Sequence, residues 1–184
     1  MGEAPISTTH PIFHEVKDEK EITLSTGVAP SPYVIYDGYA LLVGGTCDLY
    51  AARNLLADQL LSPVATADGR ALMAMWVVDA THASLGPHKE LQLSLFVTRG
   101  EQKVISLHTL TGLGMIVNGE ASLLCRGLWN DTKTVVAYNR EHLGLPAVMT
   151  EGHVTVDPSL KRTSFEFRDE QGDLIVRGRV KLDA

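Results

Sequence analysis

Two short stretches hold most of the residues able to do chemistry. The first, "HASLGPHKELQLSLFV", places His82, His88 and Glu90 close together. Two imidazoles and a carboxylate suit either a metal ion or proton transfer. Gly86-Pro87 breaks the strand between the histidines, and neither HExxH nor Cys-x-x-Cys occurs, so no metal site is expected. Glu90 opens a run in which Leu91, Leu93 and Leu95 alternate with Gln92, Ser94 and Phe96. In a sheet covered on both sides, a Glu-Gln-Ser face lines a ligand cavity; in an open one it meets solvent. Lys89 falls on the leucine face, so it should not share a cavity with Glu90. The second stretch, "NREHLGLPAVM", sets Arg140, Glu141 and His142 before a Gly-x-Pro break. A cation, a carboxylate and an imidazole there could polarise a carbonyl. The remaining histidines, His10, His14, His108 and His153, form no ligand spacing. No Gly-x-Ser-x-Gly nucleophile is present, and "GLGMIVNG" reads as a strand hairpin, because no Lys-Ser/Thr ends it.

The elements that must position these groups are mostly strands. "YVIYDGYALLVGGTCDLY" is strand-like, with Asp37-Gly38 as a hairpin-turn dipeptide. "DLYAARNLLADQLL" changes period: Leu49, Ala52, Leu55, Leu56 and Leu60 form one helical stripe, capped by Asp48 and stopped by Pro63. Strand patterns return in "ALMAMWVVDAT", "ELQLSLFVTR", "KVISLHTLTGLGMIV", "ASLLCRGLW" and "TVVAYN", and "REHLGLP" is a short helix or turn. The tail, "HVTVD" and "RTSFEFRDEQGDLIVRGRVKL", alternates around a Glu-Gln-Gly-Asp turn. The fold expected is mainly β (α+β), an antiparallel β-barrel or curved double sheet with one main helix. Residues 1–20 are expected to form a flexible N-terminal arm and 21–184 a single domain.

Composition excludes several classes. A net charge of −6 without a basic stripe argues against nucleic acid. No run of eighteen apolar residues supports a membrane span, and "MGEAPISTTHPIF" lacks the regions of a secretory signal. Cys47 and Cys125 sit singly in apolar contexts and read as buried thiols of a cytoplasmic protein. A small molecule is the expected partner, and exposed strand edges favour a homo-oligomer.

Taken in order, several stretches resemble the acetoacetate decarboxylases. "GYALLVGGTCDLYAARNLLADQLLSP" is similar to that family's strand-to-helix entry. "ALMAMWVVDATHASLGPHKELQLSLFV" is similar to its Met-Ala-Met strand, Leu-Gly loop and strand-opening glutamate, matched by Glu90. "NREHLGLPAVM" resembles the Gly-Arg-Glu…Pro-Lys signature, and the likeness runs from about Ser31 to Val148. The resemblance implies imine chemistry: a desolvated lysine beside a second lysine condenses with a β-keto acid carbonyl and accepts the electrons left by CO2. Both lysine places hold other residues here, Ala147 and Val148. The family's pocket arginine matches Gly38 and a further carboxylate matches Ala71, while Arg140 and Glu141 persist as framework. The other lysines lie in polar or turn-like contexts, which do not depress an amine.

The expected function is therefore a lyase- or isomerase-type enzyme of biosynthetic or secondary metabolism, needing no cofactor. Glu90 would transfer protons, with His88, His142 and Arg140 positioning or polarising a carbonyl. Gln92, Trp76, Met75 and Tyr36 would contact a keto or polyketide-like substrate during dehydration, cyclisation, isomerisation or hydration. Two alternatives remain: a binding module for a hydrophobic metabolite, and a lysine-independent β-keto acid decarboxylase.

Overall fold

The computed structural model describes residues 20–100, 103–105, 109–157, 159 and 161–181. All but the last residue of the expected arm, 1–19, lies outside the described residues, as does His108. The chain is mainly β with few helices, and its strands form two-, eight- and three-stranded sheets. β1 (Lys20–Leu24) and β2 (Gly27–Ser31) make an antiparallel hairpin. The eight-stranded sheet follows the order β10 (Ala147–Met149), β9 (Ser122–Asn130), β7 (His88–Arg99), β6 (Arg70–Ala83), β5 (Ala65–Thr66), β8 (Val104–Ile105). β3 (Ile35–Asp48) joins at β6, and β4 (Leu61–Pro63) joins at β7. Among the described residues this order does not close on itself, so the open form of the expected sheet is the one found. One pairing, β5 with β8, is parallel.

The chain gathers into two compact units, 1–40 with 77–90 and 129–184, and 41–76 with 91–128. β3, β6, β7 and β9 each contribute to both. In the second unit, Val64, Leu72, Ala74, Phe96, Met115 and Ala121 form one apolar cluster, and Ala52, Leu56, Ala71, Leu95 and Val97 form another. The first unit carries β11 (Glu151–Asp157), β12 (Arg162–Arg168) and β13 (Leu174–Lys181) as an antiparallel sheet with the turn read from sequence. Gly178 faces Phe165 across this sheet, and any side chain at 178 would strike the ring.

The helix expected after Asp48 is α1 (Leu49–Leu55), and Asp48 Oδ1 accepts from Ala51 N at 2.7 Å. It ends well before Pro63, which lies in β4; Ala52 and Leu56 are buried, while Leu55 and Leu60 face solvent. Two runs read as strands are helical. "TLTGLGMIV" is α2 (Thr109–Val117), where a Cβ on Gly112 would sit 2.5 Å from Leu72 and 2.9 Å from Phe96. "KTVVA" is α3 (Lys133–Ala137), and it runs into a π-helical turn, Tyr138–His142. Short apolar runs have no period long enough to separate the two states, and packing decided. Asp37-Gly38 is no turn either. Gly38 lies inside β3, where a Cβ would stand 2.5 Å from the Asp79 carbonyl oxygen.

Candidate functional site

The first unit contains a cluster of buried polar side chains drawn from β7, β9, the π-helical turn and the segment after β2. Glu90, the third residue of β7, sends Oε2 to Asn130 Nδ2 at 2.9 Å. Asn130, the last residue of β9, accepts at Oδ1 from Asn139 Nδ2 at 3.0 Å. Both asparagines are fully buried. This relay fixes the carboxylate from behind while leaving Oε1 with no hydrogen bond from a described residue. Burial lifts the Glu90 carboxyl above its ordinary value, and the Asn130 hydrogen bond and the neighbouring His88 oppose that rise.

His88 opens β7 and is only 2% exposed. Its Nδ1 lies 2.9 Å from the Gly86 carbonyl oxygen. A carbonyl only accepts, so Nδ1 carries the proton. His88 Nε2 is buried and has no hydrogen-bond partner among the described residues. Buried polar atoms are ordinarily satisfied, and Thr132 Oγ1 is the other exception among the described residues. The Tyr33 ring stands edge-on to His88 at 6.0 Å and to Tyr138 at 5.1 Å. Its hydroxyl is pushed up to about 12, first by burial and then by the Glu90 charge and Tyr138.

His142 reaches the cluster indirectly. Its Nε2 lies 2.9 Å from Ser31 Oγ, which accepts from the Tyr138 hydroxyl at 3.3 Å. The π-helical turn brings this about: the Leu143 amide donates to the Tyr138 carbonyl oxygen, and the Tyr138 and His142 rings meet edge-on at 5.1 Å. Such turns recur at functional sites. Arg140 takes a different direction and lines a surface pocket of about 330 Å³ with Ser25, Glu141 and Met149. There Glu141 accepts from Ser25 N at 2.8 Å and Ser25 Oγ at 2.5 Å. No hydrogen bond or ion pair joins Arg140 to Glu90 among the described residues.

The expected substrate contacts are dispersed. Tyr36 lies against His82, ring centres 4.9 Å apart. Gln92, Met75 and Trp76 belong to the second unit, where Gln92 Nε2 donates to Ser94 Oγ at 2.8 Å. Lys89 turns to Asp79 at 3.6 Å, on the side away from Glu90 that its strand position predicts. His153 pairs with Glu151 at 3.1 Å on the exposed face of β11. Among the described residues, no three His, Cys, Asp or Glu side chains converge as metal ligands do.

Four residues of the cluster escape a reading by motif: Tyr33, Asn130, Tyr138 and Asn139. Asn139 opens the same stretch as Arg140 and His142, so its place was visible although its role was not.

No family model and no curated protein matches the chain. A crystal structure does: an acetoacetate decarboxylase from Legionella pneumophila superposes with a TM-score of 0.58 at 11% identity. The fold is shared. The superposition covers 92% of this chain and 56% of that one, so this chain spans little more than half its length. No helix among the described residues is long and apolar enough to cross a membrane.

Ala147 and Val148 lie on β10; Ala147 is 1% exposed and Val148 is 45% exposed, so only the first faces the interior. Gly38 is so tightly held against Asp79 that a longer side chain there would require the backbone to move.

Proposed function

We propose that this chain is a small-molecule enzyme on an acetoacetate decarboxylase-type scaffold, working by proton transfer through Glu90 and without an imine. It would be a divergent relative of those decarboxylases in which Ala147 occupies the place of the reacting lysine. The observation that carries this reading is the Glu90–Asn130–Asn139 relay, a half-buried carboxyl held by one oxygen. A carboxyl lifted by burial exchanges protons nearer neutral pH, which suits it to act as base and then as acid.

Dehydration of a β-hydroxy ketone shows the demand. Glu90 as carboxylate takes the proton α to the carbonyl. The resulting acid returns that proton to the departing hydroxyl, leaving an enone and water. Isomerisation, hydration and cyclisation of keto compounds need the same shuttle. His88 sits within electrostatic reach of Glu90 and receives the substrate, and His142 acts through Ser31 and Tyr138 as a positioning residue. Arg140 is left out of the reaction.

Glu90→Gln tests the assignment, since it keeps the shape and the Asn130 contact while removing the proton site. Turnover of a β-hydroxy ketone panel should fall by about a hundredfold or more, with the melting temperature near wild type at pH 7. An active Glu90→Gln protein overturns it. A second reading, sequestration of a metabolite without conversion, is favoured by the burial of His88. Native mass spectrometry separates the two: a ligand that co-purifies and stays unchanged on incubation supports binding alone.

A further inference from the structure

The charges around Glu90 and the bare nitrogen of His88 specify what the site accepts. Resting on the reading of Glu90 as the reacting carboxyl, we infer that the substrate is uncharged and presents a hydroxyl to His88 Nε2, as a β-hydroxy ketone does and a β-keto acid anion does not. Two independent observations support this.

The first is the direction of the hydrogen bond. A ring whose single proton sits on Nδ1, held by the Gly86 carbonyl, has an acceptor at Nε2. It is buried and unpaired. A hydroxyl completes it, whereas a carboxylate, which only accepts, would leave two lone pairs facing each other. Burying an acceptor without a donor is costly, so a ligand that supplies the donor binds better by that amount.

The second is the absence of a counter-charge. A carboxylate brought beside Glu90 needs a cation, because two buried negative groups repel and neither keeps its hydration. Five cations of the first unit have other surroundings. Lys89 faces Asp79, and Arg168 and Arg177 both bind Glu166. Arg140 and Lys133 line the surface pocket beside Glu141. Among the described residues, no lysine or arginine hydrogen-bonds to Glu90, His88, Asn130 or Asn139. The groups shown to act on Glu90 are the Asn130 amide, the Tyr33 phenol and the His88 imidazole, which suit a neutral molecule.

Three probes of nearly the same shape separate hydroxyl from charge. Diacetone alcohol carries both hydroxyl and ketone; β-hydroxyisovalerate replaces the methyl ketone with a carboxylate; methyl isobutyl ketone lacks the hydroxyl. Each is titrated at neutral pH into full-length protein with isotope-labelled histidine, and the His88 Nε2 resonance is followed. Diacetone alcohol should move that resonance and bind about tenfold or more tightly than either of the others. A smaller ratio against either probe, or a His88 resonance that stays put, overturns the inference. In a His88→Phe variant the advantage over methyl isobutyl ketone should vanish, and the wild-type resonance decides if that variant does not fold. The same titration on Glu90→Gln keeps the two proposals apart. Diacetone alcohol should still reach His88 there, so full turnover by Glu90→Gln sinks the acid/base reading alone, and failure to bind either protein sinks this one.

Discussion

The interiors of the two units are built from different materials. In the second unit, the largest fully buried side chains are Phe96, Leu56, Leu72 and Leu128, and its buried polar residues are the small hydroxyls of Thr66, Ser94 and Thr98. Thr66 is satisfied locally, donating to the Arg70 carbonyl oxygen at 3.1 Å, and Ser94 accepts from Gln92. The first unit instead buries an imidazole and two carboxamides, and half-buries a carboxyl beside them. Polar groups taken from water at best break even when bonded and cost stability when not. Nothing in folding requires His88 Nε2 to be left bare. That cost falls on the region to which the proposed function assigns the reacting carboxyl.

The contrast breaks most visibly at Phe96. Phe96→Ala should remove about 3–5 kcal/mol of unfolding free energy, by lost transfer energy and by the cavity left among Leu72, Met115 and Ala121. Urea unfolding measures it. The loss should be the same at pH 5 and pH 9, because no group in that cluster titrates. A pH-dependent loss would mean that the apolar cluster is coupled to an ionising group, and the contrast would fail.

Asn130 is the next largest. Asn130→Ala strips Glu90 Oε2 of its donor and leaves Asn139 Nδ2 unpaired, which should cost about 1–3 kcal/mol. It should also raise the Glu90 carboxyl further, since the Asn130 hydrogen bond is what holds it down. Carbon-detected NMR of the glutamate carboxyls reads that shift. An unchanged Glu90 titration would show that the relay does not govern the carboxyl.

Glu90 itself yields a smaller effect of opposite sign. Its folded-state value lies above the ordinary 4.5, so its favourable contribution is complete below that pH and is lost as pH rises through the folded value. Above that range the charged, half-desolvated carboxylate works against the fold. Glu90→Gln should therefore match wild type at low pH and become the more stable protein as pH approaches 9, by thermal melts across the series. Stability bought with lost activity is the signature of a residue kept for chemistry. A variant less stable than wild type at every pH would assign Glu90 to structure.

How much of this was legible in sequence follows the same division. The alternating tail and the Asp48-capped helix were readable because period 2 and a side-chain cap are local signals. α2 and α3 were not. "GLGMIV" and "TVVAY" are short, apolar and rich in β-branched or glycine residues, and their helicity depends on fitting Gly112 to Phe96 and burying Val135 to Tyr138. Misreading α3 as a strand also hid the π-helical turn, and with it the reason Tyr138 and His142 share a side. At the site, Glu90 and His88 stood out as charged or titratable residues in apolar surroundings. Asn130 and Asn139 did not, because an asparagine looks the same in sequence whether it turns a loop or holds a carboxylate. Arg140 stood out for its charge and faces elsewhere.

The smallest effect belongs to Lys89, next to Glu90 in sequence. Being adjacent in sequence to the proposed reacting carboxyl, it is the natural suspect if an imine survives. Geometry sends it away: Lys89 Nζ meets Asp79 at 3.6 Å, with the two side chains 30% and 21% exposed. Its Cβ packs near Gly152, and its amide donates to Asp131 Oδ1 at 2.7 Å, a bond that any residue at 89 retains. Half-exposed ion pairs are weak, so Lys89→Met should cost no more than about 1 kcal/mol. Turnover and the Glu90 titration should stay at wild-type values, and borohydride with a keto substrate should leave no adduct on either protein. A Lys89→Met variant that folds but loses turnover, or a trapped Lys89 adduct in wild type, would restore the imine and remove Glu90 from the centre of the reaction.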